Sequence, residues 1–243
     1  MTATRTLNPL PASTKSGRSR LPRWLALGAI AGPVLFTMAW LILGSISPGY
    51  TISGTWISPY SPISQPISGL GLGVTAGYMN AAFIISGLLL LAGVVGIVAA
   101  LPRGSKPVAR KASAILLALA PLGLIVVGLF TLESPALHLS GAMLVLATPV
   151  LSFSITGLQL RHLPGWHRLG NLLLVASPLT LILFVAYNLS FNQSAVAAGH
   201  GIAGLTQRVL FVEILTWFIA LGWLAYRRAG LATPSDRQLN ALG

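Results

Sequence analysis

The sequence predicts an all-α membrane protein, a polytopic bundle of six transmembrane helices with both termini in the cytoplasm. Three observations carry this. Of 243 residues, 54% are hydrophobic and only 7% charged, and the mean hydropathy is +0.81. A soluble domain carries about a quarter of its residues as charges. This chain therefore cannot cover a water-facing surface, which excludes a soluble enzyme, a nucleic-acid-binding domain or a disordered tail for its bulk. Six apolar stretches reach the roughly 20 residues a helix needs to cross the hydrocarbon core. The positive charges, which sum to a net +12, fall almost wholly in alternate gaps between those stretches.

The spans are expected at 24–46, 77–101, 112–132, 139–160, 169–189 and 206–226. Inside lipid every backbone N–H and C=O needs an internal partner, and long apolar runs without strict alternation meet that need as helices. Arg5, Lys15, Arg18, Arg20 and Arg23 precede the first span. Arg103, Lys106, Arg110 and Lys111 lie between the second and third, Arg161 and Arg168 between the fourth and fifth. Arg227, Arg228 and Arg237 follow the sixth. With an even number of spans, these 14 of 15 basic residues share one side, and the positive-inside rule makes that side cytoplasmic, in the cell membrane. Arg208 alone falls on the other side.

Residues 1–22 read as a disordered basic cytoplasmic tail, residues 23–228 as the transmembrane domain and 229–243 as a second tail. A cleaved signal peptide is the alternative for the first span, but its leader is long, its apolar run is of spanning length and no A-x-A site follows. The outer loop 48–76 carries Pro48, Pro59, Pro62 and Pro66 among serines and glycines, which favours turns and extended pieces. Tyr50, Ile52, Trp56, Ile57, Tyr60 and Ile63 make it too apolar for a solvated linker. It is expected to lie as a lid over the outer mouth of the bundle or at headgroup level.

Gly28-x-x-x-Gly32 in the first span suits either a dimer contact or a contact within the bundle, and the five competing helices favour the second. Gly32-Pro33, Ala120-Pro121, Thr148-Pro149 and Ser177-Pro178 place a proline near the middle of four spans. Each frees a carbonyl and is expected to kink its helix. The third and fifth spans look alike around their prolines, though no constant repeat spacing supports duplication.

Charge inside a bilayer is costly, so an intramembrane ionisable residue is a functional candidate. Glu213 is the clear case. Arg208, five residues before it, lies about 140° around the helix and cannot share its face. Asn80, Glu133, His138 and Asn188 are expected near the outer ends of their helices. With Arg208 and Glu213 they make a hypothetical outward-facing polar pocket, Glu213 at its floor and Arg208 and Glu133 at its rim. The competing reading is that Glu213 is protonated, or hydrogen-bonded to one Asn, and locks two helices together. Tyr50 and Gln65 could descend from the lid.

No cofactor is implied. The chain has no cysteine, which removes disulfides, thiolate metal sites and thiol nucleophiles. Its four histidines form no H-x-x-x-H or H-E-x-x-H pair. No phosphate-binding or hydrolase motif occurs.

The block LGSISPGYTISGTWISPYSPISQPISGLGLG, the segment GLFTLESPALH and GLTQRVLFVEILTWFIALGW resemble the bacterial membrane proteins called domain of unknown function 998, over about 28–228. In that family an acidic residue often follows the Ile-Ser step, where this chain has Gly69. The resemblance implies topology and no reaction. Three function classes stay open. First comes a structural, regulatory or partner-binding membrane protein whose partners are the lipid bilayer and a membrane protein or small polar solute, with no nucleic acid. Second is a small-solute or proton-coupled transporter using Glu213. Third is an intramembrane enzyme acting on lipid headgroups through Glu133 and His138.

Overall fold

A computed structural model describes residues 21–57, 59–102 and 106–231. Among them, six helical stretches are long and apolar enough to cross a membrane: Arg23–Ile46, Gly73–Ala100, Pro107–Leu129, Pro135–Leu160, His167–Ser190 and Ala203–Ala229. The first is built from α1 (Leu21–Leu25) and α2 (Gly28–Ile46), the second chiefly from α3 (Ala76–Ala100), and the third from α4 (Pro107–Leu129). The fourth is split into α5 (Pro135–Leu146) and α6 (Thr148–Leu160). The fifth is α7 (His167–Ser190) and the sixth α9 (Ala203–Leu231), with the short α8 (Gln193–Ala197) between them. The tails expected over 1–22 and 229–243 lie outside the described residues, except that α1 takes in residues 21–22 and α9 continues to Leu231.

Each expected span is present, and the helix ends differ for local reasons. The third starts five residues earlier because Pro107 occupies the first turn, where its missing N–H costs nothing. Arg110 and Lys111 consequently sit on the helix rather than in a loop. Of the four mid-span prolines, Pro33, Pro121 and Pro178 lie inside unbroken helices. Only Pro149 coincides with a break, at Ala147. There the Thr148 hydroxyl donates to the Leu144 carbonyl (2.6 Å) beside the proline.

The helix α3 is central, packing on α2, α4 and α9, while α7 leans on α6 and α9. Small residues set the closest approach. A Cβ on Gly28 would fall on the Leu89 carbonyl, and one on Gly93 would fall on the backbone of Ala29. One on Gly32 would stand 2.7 Å from the Ser86 carbonyl. The Gly28/Gly32 face is thus spent on α3, inside the bundle, where backbones close enough to touch gain van der Waals contact that lipid cannot match. Phe36 packs against Phe83 (5.0 Å between rings) and Phe211 (5.1 Å), tying α2, α3 and α9. Phe153 meets Phe218 (6.0 Å) where α6 meets α9. Outside this core the helices expose Val34, Met38, Ile85, Leu151, Ile182 and Val212, a surface suited to acyl chains.

The guanidinium of Arg23 lies 4.3 Å from the centre of the Tyr226 ring, so the chain enters and leaves the bundle at one end. That basic end also carries Arg110, Lys111, Arg161, Arg168, Arg227 and Arg228. Residues 47–57 and 59–75 cover the opposite, lid end.

Candidate functional site

The lid begins as a hairpin. Strands β1 (Tyr50–Ile52) and β2 (Thr55–Ile57) pair antiparallel through a turn in which Ser53 and Gly54 have φ of 49° and 78°. Positive φ at both central positions is the turn whose twist matches a hairpin. Trp56 projects outward, while Tyr50 is buried over Gly69, where any Cβ would lie 2.7 Å from its ring. The position that is often acidic in the resembling family is here filled by that ring. Beyond the hairpin a 3-10 turn, Ile67–Gly71, tucks Ile67 and Leu70 into the core. Asn80 on α3 holds this turn by donating to the Gly71 carbonyl (3.1 Å).

What fastens the lid is Arg208. One terminal nitrogen shares its two protons among the carbonyls of Pro62 (2.7 Å), Gln65 (3.0 Å) and Gly204 (2.9 Å), and the other donates to the Tyr60 hydroxyl. The guanidinium also lies 5.2 Å from the centre of the Trp40 ring. Carbonyl dipoles, a phenol oxygen and an aromatic face stabilise this buried cation, with no carboxylate among its partners in the described residues. Gly204 lets the loop sit on the first turn of α9, since a Cβ there would meet the Pro62 carbonyl at 2.6 Å. Gln207 completes the seam by accepting from the Ile67 N–H (2.7 Å), and the Leu205 N–H donates to the Ile63 carbonyl (2.8 Å). Burial, reinforced by the neighbouring Tyr60, pushes the Tyr50 phenol up to about 12. Burial also raises Tyr60, against the opposing pull of Arg208.

Arg208 was expected at the rim of an open pocket. It is instead 7% exposed and turned into the lid, because the unpaired carbonyls of a proline-rich loop offer it more than water at a mouth would. Glu213 faces another way, towards α7. The Thr180 hydroxyl lies 3.0 and 2.9 Å from its two oxygens, and the Trp217 indole N–H donates to Oε1 (2.7 Å).

The remaining candidates have separate partners. His138 is buried, its Nδ1 2.8 Å from the Phe130 carbonyl, which fixes the proton on that nitrogen. Asn188 is exposed and donates to Phe184 one turn back (2.7 Å). Glu133 is exposed in the connection before α5. No hydrogen bond joins any two of Asn80, Glu133, His138, Asn188, Arg208 and Glu213. A small cavity of about 20 Å³ lies beneath the lid, lined by Ile67, Ser68, Phe83, His138, Gln207 and Phe211 among others. Of the six candidates only His138 reaches it. Among the described residues no three His, Asp or Glu side chains gather to hold a metal.

Sequence reasoning overlooked Thr180, Trp217, Tyr60 and Gln207. Trp217 was within reach of it, since i and i+4 are neighbours on a helix. Thr180 carries no such signal, because its pairing spans two helices.

No curated protein and no solved structure matches this chain. A family model described as a protein of unknown function, DUF998, matches residues 30–224. The chain, a multi-pass bundle closed at one end by a fastened lid, belongs to the DUF998 family.

Proposed function

We propose that this is a non-catalytic, partner-binding protein of the cell membrane, with its basic end in the cytoplasm and its lid outside. The observation that carries the reading is the Arg208 clamp. Holding a proline-rich loop through two of its carbonyls and a phenol gives that end a fixed surface, and on it Trp56, Ile63, Val74 and Tyr78 stand exposed. Apolar and aromatic side chains on a braced surface suit recognition, because little ordering entropy remains to be lost on contact. The orientation rests on the charge asymmetry between the two ends.

A photo-crosslinking residue at position 56 or 63, activated in native membranes, is expected to give a discrete protein adduct. Arg208→Leu is expected to abolish that adduct while the protein stays in the membrane. Adducts to lipid alone would overturn the reading. A reporter fused after Arg228 is expected to be active in the cytoplasm, and activity only outside would reverse the orientation.

A second reading, a proton-coupled transporter of a small solute, draws support from the carboxyl in the middle of α9. Uptake that depends on pH and disappears in Glu213→Gln would favour it over partner binding. The headgroup-enzyme reading has no such support, since Glu133 and His138 share no hydrogen bond.

A further inference from the structure

Glu213 is ten residues from Ala203 on α9, and Thr180 is ten residues from Ser190 on α7. At 1.5 Å per residue both lie about 15 Å from the lid end, close to the middle of a bilayer. Neither Glu213 nor Trp217 is fully buried, and Val212 and Thr216 on α9 and Leu179 on α7 are exposed beside them. The carboxyl therefore sits in a groove between α7 and α9 that opens on the surface expected to meet acyl chains.

The hydrogen bonds around it form two complete sets. Thr180 has one hydroxyl proton, and its oxygen lies 2.9 Å from the Ala176 carbonyl as well as near both carboxyl oxygens. When Glu213 carries a proton, that proton goes to the Thr180 oxygen and the Thr180 proton to Ala176. Trp217 still donates to Oε1, and every donor is used. When Glu213 is ionised, the Thr180 hydroxyl turns its proton from Ala176 to the carboxylate. The anion then has two donors, the hydroxyl and the indole. Passing between the two sets requires only a hydroxyl rotation.

Among the described residues the other charges lie towards the two ends of the bundle, Arg23 of α1 against Tyr226 at the basic end. On α9, Arg208 is turned into the lid, and Tyr226, Arg227 and Arg228 lie at the basic end. On α7, Tyr187 lies seven residues towards the lid, bonded to Gln207, and His167 and Arg168 at the basic end. Neither α2 nor α6 has an ionisable side chain; α3 has only Tyr78, near its lid end, and α5 only His138.

We propose that Glu213, held by Thr180 and Trp217, is a reversible proton-binding site reached from the lipid-facing groove between α7 and α9. This goes beyond partner binding at the lid and does not depend on it.

The test uses the full chain in vesicles of phosphatidylethanolamine and phosphatidylglycerol, treated with the lipid-soluble reagent dicyclohexylcarbodiimide across a series of pH values. A protonated carboxyl passes its proton to a carbodiimide nitrogen, its oxygen adds to the central carbon, and the adduct rearranges to a stable N-acylurea. Peptide mapping should place one adduct on Glu213. Labelling should fall about tenfold per pH unit once the carboxyl is mostly ionised. Glu213→Gln should give none while folding like the parent, since its amide oxygen still accepts from Trp217. Should that variant misfold, Thr180→Val serves in its place: with one donor to the anion removed, labelling should persist to more alkaline pH than in the parent. Labelling that stays constant across the series, the mark of a permanently neutral interhelical hydrogen bond, would overturn the proposal. So would folded protein that never reacts at Glu213.

Discussion

Arg208 and Glu213 stand five residues apart on one helix and meet opposite treatment. The arginine is enclosed by three carbonyls, a phenol and an indole face, drawn from α2, the lid and its own helix. The glutamate is half-buried, has two side-chain partners, and one of those has an alternative acceptor. Turning by 100° per residue separates the two faces, so one helix fastens the lid and offers a titratable group to α7 without the charges meeting. An ionisable residue in an apolar helix thus has no fixed meaning. A guanidinium with several rigid acceptors is a fastener, and a carboxyl with a rotatable partner is free to change state.

The contrast can be broken most directly at the fastener. Arg208→Leu leaves the Pro62 and Gln65 carbonyls without their side-chain donor and should cost roughly 3 kcal/mol, since hydrogen bonds to charged groups are the strong ones. The unfolding midpoint in mixed micelles and protease cleavage within 59–67 would both report it. Arg208→Lys should recover only part, because an ammonium cannot reach Tyr60 and the carbonyls in one planar arrangement. Gly204→Val should lift the lid from α9 at a cost of about 2 kcal/mol by overpacking, with the same cleavage pattern. Tyr60→Phe removes one acceptor from the guanidinium and one donor to the Pro66 carbonyl (3.2 Å), and should cost about 1 kcal/mol.

Alkali should loosen the lid as well. A phenol raised by burial contributes stability that is fully present below its ordinary value of 10.0 and is lost as pH rises through the folded value, about 12 for Tyr50. Tyrosinate absorbance should therefore rise together with cleavage of the lid, and absorbance rising well before cleavage would separate Tyr50 from lid closure. The smallest effect is expected at the other pole. Glu213→Gln should change stability by less than about 1 kcal/mol, in the range of ordinary interhelical hydrogen bonds. A loss as large as that of Arg208→Leu would collapse the distinction between the two residues.

The architecture was legible because lipid imposes it. Span length and the spacing of apolar runs depend on local sequence, and all six spans stand where those cues put them, with ends moved by Pro107 and by the lid. The Gly28/Gly32 face could be assigned to the bundle by counting competing helices. The site was legible only as a set of residue types. That Arg208 and Glu213 diverge follows from helix geometry, yet that the lid would bring Pro62 and Gln65 carbonyls to Arg208 depends on a loop fold with no periodicity. Asn80, Asn188 and His138 were placed correctly near helix ends, but helix ends are also where local carbonyls compete for polar side chains. Each found a partner nearby rather than a common pocket.

The break at Ala147 bears on how the chain enters the membrane. The 12 residues of α5 and the 13 of α6 are each too short to bridge the hydrocarbon alone. Insertion machinery that samples one segment at a time would release either piece into the aqueous channel, so the pair must be presented as a unit before it can partition. Lengthening the connection at Ala147 with a few polar residues would leave two stubs that fail to integrate, and every later segment would emerge on the wrong face.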